Sequence, residues 1–285
     1  MPGILLPATT TTPSATSSCN SSAAEAPEAV IRDYVYDQNF AEERARLASS
    51  EQLWDPGSQL VLDDLGVGAG WSCLEVGAGV GSLVQWMAGR GASVLAVDID
   101  TRFIEPLAGD RVEIRRVDIR TDDLPASQFD LVHARLVLEH LAERRQIVGR
   151  LAATLRPGGW LMIEDYDWSS FGFDGTNPQL DRAAEAIIAF MQQAGYDPRY
   201  GRRVFDDLTA AGLTDIRGDG RARVIDSRSP GFDFYRLTFE SIRDAVVQAR
   251  LLAAADADAA STQLRTDVRL FTPMMVAAIG RRPAP

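Results

Sequence analysis

The sequence predicts an α/β fold with a doubly wound, mostly parallel sheet, and three observations carry that prediction. Strand-like and helix-like segments alternate from about residue 72 to residue 165. The strand-like runs, SVLAVD, FDLVHA and WLMIED among them, are nearly continuous in apolar residues, as strands covered on both faces must be. One strand leads through a glycine-rich turn into a helical segment, CLEVGAGVGSLVQWMAGRG, which brings bare backbone to the edge of a sheet.

Composition bounds what such a fold can do. The chain has 285 residues, enough for one large α/β domain with extras, and its 46% hydrophobic content allows a sizeable core. A formal net charge of −11 argues against a duplex nucleic acid or an anionic membrane surface as partner. All 29 basic residues are arginine, so Schiff-base chemistry and a P-loop lysine are excluded. Cys19 and Cys73 make neither a disulfide framework nor a metal set, which fits a reducing cytoplasm. MPGILLPA lacks a basic leader, and no run approaches the length of a membrane span, so neither targeting nor membrane insertion is expected.

Taken in order, residues 1–27 are rich in Thr, Ser, Pro and Ala without periodicity and are expected to be disordered. Residues 28–53 turn helical and amphipathic. Trp54-Asp55-Pro56-Gly57 is expected to end that helix, with Ser58 capping a further one to Leu65. The glycine-motif strand and helix follow, then SVLAVDID as a second strand and a short helix over 101–107. RVEIRRVDI contains a third strand, and QFDLVHARL a fourth from Phe129 to Ala134. LEHLAERRQIVGRLAATL reads as one amphipathic helix, closed by RPGG before the fifth strand, WLMIED. After Asp165 an aromatic loop leads to helices over 179–194 and 202–211 and a strand within 213–224. A long helical stretch from Phe232, a helix over 259–267 and a final strand, PMMVAAIGRR, complete the chain.

Three acids sit at informative places. Asp98 ends the second strand about 20 residues after the glycine turn, where a carboxylate can accept both hydroxyls of a ribose. Asp118 ends the third strand, and Asp130 opens the fourth, whose far end adjoins the first. One terminal Asp is usually a solvated turn residue. In register, the two strand-end acids and the far end of strand four meet at one rim, the carboxyl edge where ligands of doubly wound sheets bind.

This ordered set resembles the class I S-adenosylmethionine-dependent methyltransferases, whose fold is Rossmann-like with a reversed last strand, here MVAAIGRR. LEVGAGVG resembles their first motif, which places Glu75, Gly77, Ala78, Gly79 and Gly81 at the cofactor. VLAVDID carries the ribose acid over to Asp98 with Ile99 beside the adenine, and RVDI maps the adenine contact onto Asp118 and Ile119. FDLVHARLVLEHL and LRPGGWLMIED look like the fourth motif and the fifth strand, placing Ala134 and Arg135 near the methionine end. The resemblance implies S-adenosylmethionine as cofactor, S-adenosylhomocysteine as product, and a small-molecule acceptor of bacterial secondary-metabolism type. It divides the chain into a tail (1–27), an N-terminal helical cap (28–60), a cofactor-binding core (61–170), and the rest of the core with a helical substrate lid and final strands (171–285). A nicotinamide oxidoreductase competes for the glycine turn, but its fingerprint wants Gly or Ala where Ser82 stands. A base-amine methyltransferase would carry a [DN]-P-P-[FY] stretch where this chain reads HARL.

Transfer from a sulfonium needs alignment, and a base only if the acceptor must lose a proton. His140, one of two histidines, is the expected general base; its competing reading is a residue that orients the loop. His133 is expected to pack within the sheet. Tyr166 and Trp168 are expected to line the acceptor pocket, with Tyr34 and Tyr36 of the cap closing over the cofactor. Glu164, Asp165 and Asp167 read as a solvated acidic loop, and no metal is expected. Methylation at O, N or C stays open, as do a cyclisation on the same scaffold, a non-catalytic cofactor-binding protein, and the oligomeric state, for which a homodimer is compatible.

Overall fold

The computed structural model describes residues 41–175 and 177–284. The expected tail and the first part of the cap, with Tyr34 and Tyr36, lie outside the described residues.

The first helix, α1 (Glu43–Leu65), runs straight through Pro56 and across the expected boundary at residue 60. A proline inside a helix removes one hydrogen bond and should break it. Here burial of Leu53, Trp54, Ser58, Leu62 and Leu65 along one side outweighs that loss. Gly57 is not a stop signal either. A Cβ there would lie 2.5 Å from Nε of Arg221, so the glycine lets that guanidinium lie against the helix. Ser58 is no cap; its hydroxyl is fully buried and donates to the Trp54 carbonyl and to Glu164.

The strand and helix alternation then appears as expected: β1 (Ser72–Val76), α2 (Ser82–Gly89), β2 (Ser93–Asp98), β3 (Val112–Arg116) and β4 (Phe129–Arg135). Only Glu105–Leu107 of the expected 101–107 helix forms, as a single tight turn with a proline in it. The helix expected from Leu138 is divided. Leu138–His140 makes one 3-10 turn, and α3 (Arg144–Thr154) begins after a break. The fifth strand, β5 (Leu155–Asp167), includes RPGG and both acids beyond it.

The remaining elements are β6 (Gly172–Phe173), α4 (Pro178–Gln193), α5 (Tyr200–Ala210), β7 (Thr214–Arg221), β8 (Val224–Asp226), α6 (Phe232–Gln248), α7 (Ala254–Gln263), β9 (Arg269–Phe271) and β10 (Met274–Arg281). Helix α7 starts five residues before the expected 259. The large sheet has the order β3-β2-β1-β4-β5-β10-β7. Its first five strands pair in parallel, and β10 runs antiparallel to both neighbours. A small sheet, β6-β9-β8, had no sequence signal, because its strands are two or three residues long.

Successive residues of each strand feed opposite cores. Cys73, Val94, Ala96, Leu131 and Met162 pack with α1 and α2; Leu74, Val97, Val132 and Ile163 pack with α3 and α5. A third core joins α4, α6 and α7 to Leu53, Trp54 and Tyr166. That places the helical insertion over the carboxyl end of β5 and the first helix.

Candidate functional site

The strand β1 ends on the glycine turn, and the turn is held from three directions. Gly77, Gly79 and Gly81 all have positive φ, at 67°, 61° and 91°, a region that side chains rarely adopt. The room beside the first and third is filled by the protein itself: a Cβ on Gly77 would meet Val137 Cγ2 at 2.4 Å, and one on Gly81 would meet Leu107 Cδ1 at 2.3 Å. The glycines therefore serve close packing of the turn. Ala78 is buried in the same cluster as α2.

The ribose candidate, Asp98, closes onto this turn. Gly79 N–H donates to its Oδ2 at 3.1 Å, and Asp100 N–H donates to Oδ1 at 3.0 Å. Burial pushes its carboxyl above the usual range despite those amides. Asp118 stands differently. It lies two residues past β3, and Arg120 folds back on it at 2.7 Å, holding its carboxyl below the usual range. Ile119 is buried beside it, whereas Ile99 is half-buried.

Glu75 turns into the sheet. Its carboxylate oxygens lie 2.8 and 3.0 Å from Nδ1 of His133, and Nε2 of that ring lies 3.1 Å from Glu164 on β5. Ser58 donates to Glu164 at 2.5 Å and Arg221 pairs with it. Burial alone disfavours the charged ring, but Glu75 and Glu164 outweigh it and raise His133 to about 9. Burial likewise opposes the Glu164 carboxylate, and His133, Arg221 and Arg135 reverse that, lowering it to about 2. Arg135 joins the same network from the end of β4, donating to Ser58 at 2.9 Å and Asp55 at 2.8 Å. Ala134 is fully buried within β4.

Glu164, Asp165 and Asp167 are not a solvated loop. All three lie on β5 and are buried, and Asp167 pairs with Arg202. Burial lifts Asp165 well above its ordinary value and raises Glu139 to about 8. Glu139 accepts from the Tyr166 amide at 2.8 Å.

His140 ends the 3-10 turn after β4 and is mostly enclosed, with the Tyr196 ring 5.0 Å away. Burial, with Arg46 and Arg144 adding to it, lowers its ring to about 3. It is neutral at pH 7. Tyr166 is buried and accepts from Trp54 Nε1 at 2.7 Å; Trp168, half-buried, packs its ring 5.7 Å from Tyr166 and 6.5 Å from Tyr235. Sequence reasoning missed Glu51, Trp54, Asp55 and Ser58, all on α1, and Arg221. The signal on α1 was masked by the break expected at Pro56. Among the described residues, no group of three His, Cys, Asp or Glu converges as a metal site, and no helix is long and apolar enough to cross a membrane.

Residues 74–161 match the methyltransferase-domain family. Methyltransferase str2 of Strobilurus tenacellus is 33% identical over 161 residues, 54% of this chain and 57% of that protein. The chain thus spans about half the length of the curated relatives it matches. In structure it is similar to phosphoethanolamine N-methyltransferase 2 of Haemonchus contortus bound to S-adenosyl-L-methionine, at a TM-score of 0.53 and 16% identity, over 84% of this chain and 57% of that one. It is similar also to the cyclase SpnF, at 0.52 and 16%, over 81% of each chain. At such identities the structures share the fold alone. The sheet order, the single reversed strand, the glycine turn closed by the strand-end acid, and the methyltransferase-domain match over residues 74–161 all agree with the resemblance to the class I S-adenosylmethionine-dependent methyltransferases.

Proposed function

We propose that the protein transfers the methyl group of S-adenosylmethionine to an O, N or C atom of a small organic acceptor, a bacterial secondary metabolite or its precursor, in the cytoplasm. The observation that carries this is the contact of Asp98 with Gly79, which joins the strand-end acid to the glycine turn in one cradle. The residues fit the cofactor. A carboxylate has about four lone-pair positions, so Asp98 keeps capacity for a ribose hydroxyl beyond the amides of Gly79, Ile99 and Asp100. Ile99, Asp118 and Ile119 would hold the adenine, with Asp118 sharing its carboxylate with Arg120. Ala78, Ala134 and Arg135 border the other end, and Glu75 supports the turn through His133.

When bound, the cofactor supplies an already activated methyl group. The protein's part is alignment and exclusion of water. Tyr166 and Trp168, with Tyr235 of α6, form an aromatic wall at the end of β5 for the acceptor. His140 is the proposed proton acceptor in its neutral form. Since its ring titrates near 3, the rate should show no acid limb near pH 6.5 belonging to this residue. A wild-type limb at that pH that disappears in His140→Gln would refute the lowered ring.

The function is tested by calorimetry with S-adenosylmethionine and S-adenosylhomocysteine, followed by a search for a one-methyl mass gain in candidate acceptors. Binding with a mass gain is the expected result. Binding with a rearranged product of unchanged mass would assign a cyclisation instead, and binding with no altered metabolite a non-catalytic role.

A further inference from the structure

The backbone amides of the glycine turn are occupied by two different acids. Gly79 donates to Asp98, while Val80, Gly81 and Ser82 donate to one oxygen of Glu51, at 3.1, 3.0 and 3.3 Å. Glu51 comes from α1, 29 residues before Val80 in the chain, and a Cβ on Gly79 would sit 3.6 Å from that same oxygen. The anchored oxygen carries all three bonds, and the carboxylate is held by amides rather than by an ion pair among the described residues.

We propose that Glu51 is a cofactor-binding residue supplied by the first helix: a fixed anion that receives the ammonium group on the amino-acid tail of the methyl donor. The inference rests on the methyltransferase reading and names a further residue of that site. Four amides in succession are already paired with carboxylates, so the turn offers little to another anion. What it presents is negative charge, from Glu51 beside Asp98. Burial raises both carboxyls, the state of an acid that gains by meeting a cation or a hydroxyl donor. Asp98 has the ribose to meet. Glu51, clamped at the first turn of α2 where the amides favour negative charge, is matched by an ammonium. Glu75 is not available for that role, because His133 occupies both its oxygens.

The test compares two ligands on the full chain by calorimetry: S-adenosylhomocysteine, which carries the amino-acid tail, and 5′-methylthioadenosine, which lacks it. Glu51→Gln should weaken S-adenosylhomocysteine at least tenfold and change methylthioadenosine less than threefold, with the unfolding midpoint within a few degrees of wild type. Glu51→Asp, which keeps the charge, should restore part of the loss. Equal weakening of both ligands would reduce Glu51 to a structural cap and overturn the proposal. Tighter binding of S-adenosylhomocysteine to Glu51→Gln would overturn it in the other direction, by making Glu51 a plug the cofactor must displace. Failure of wild-type protein to bind either ligand would overturn the methyl-donor reading and this inference with it.

Discussion

Two sets of carboxylates meet around β1, one at its glycine turn and one inside the sheet, and are stabilised by opposite means. Asp98 and Glu51 lean on backbone amides at the glycine turn, and burial leaves their carboxyls raised. Glu75 and Glu164 lean on His133 and Arg221 inside the sheet, and Glu164 is lowered to about 2. The interior set is complete without a ligand. On the proposed reading the turn set would keep acceptor capacity for the cofactor, and the contrast would then separate the charges that build the fold from those that recognise a ligand.

The largest effect follows from breaking the interior set. His133→Leu removes the cation between two buried carboxylates, and such a loss costs about 3–5 kcal/mol. Glu51→Gln keeps an oxygen for the amides of α2 and should cost less than about 1 kcal/mol. Urea unfolding of both variants checks the contrast. Equal stabilities would erase the division between the two sets.

The same set makes stability depend on pH, with a definite sign. His133 titrates at about 9 in the folded protein against 6.5 for the free side chain, so its contribution is full below pH 6.5 and lost as pH rises through 9. Between pH 7 and 10 the loss is on the order of 2–3 kcal/mol, because each tenfold difference in proton affinity between the folded and unfolded chain is worth about 1.4 kcal/mol. Glu164 acts at the other end. Its stabilisation is present above about 4.5 and is lost as pH falls through about 2. Unfolding midpoints measured from pH 6 to 10 should decline more steeply in the wild type than in His133→Gln, whose remaining decline comes from buried acids such as Glu139, raised to about 8. Equal slopes in the two proteins would mean the ring is neutral.

At the turn, Asp98→Ala leaves the fold intact and removes a charged acceptor from the cradle. Hydrogen bonds to charged groups contribute about 1.5–3 kcal/mol, so S-adenosylhomocysteine should bind about 10- to 100-fold more weakly. Unchanged affinity would take the ribose role from Asp98.

These two sets were unequally legible in the sequence. Asp98 and the glycines announce themselves because a strand, a tight turn and a second strand fix their separation along the chain. The five parallel-type strands were readable from their alternation with helices. His133 was expected to pack in the sheet, but its two carboxylate neighbours come from β1 and β5, and only the register Glu75 to His133 to Met162 brings them into reach. Glu51 was invisible. It sits among alternating charges on a helix that Pro56 was expected to end, and only tertiary burial of Trp54, Ser58 and Leu62 keeps that helix whole over the turn. The acids of β5 were misread because the strand was expected to give way to an aromatic loop at Asp165, whereas pairing with β10 extends it to Asp167.

A neutral contact between the same elements gives the baseline for both sets. Trp54 Nε1 of α1 donates to the Tyr166 hydroxyl of β5 at 2.7 Å, with the rings 5.9 Å apart, and both side chains are buried. Trp54→Phe removes the donor and should cost about 1 kcal/mol in hydrogen bonding, beyond the packing lost with the larger ring. Replacing both partners, Trp54→Phe with Tyr166→Phe, removes donor and acceptor of this tie together, so the double variant should be less destabilised than the sum of the single ones. A coupling near about 1 kcal/mol in that cycle sets the scale for an uncharged tie between α1 and the sheet. If it reached the size of the His133 effect, the charges inside the sheet would hold the first helix no better than a single neutral hydrogen bond, and the contrast between the two carboxylate sets would lose its energetic basis.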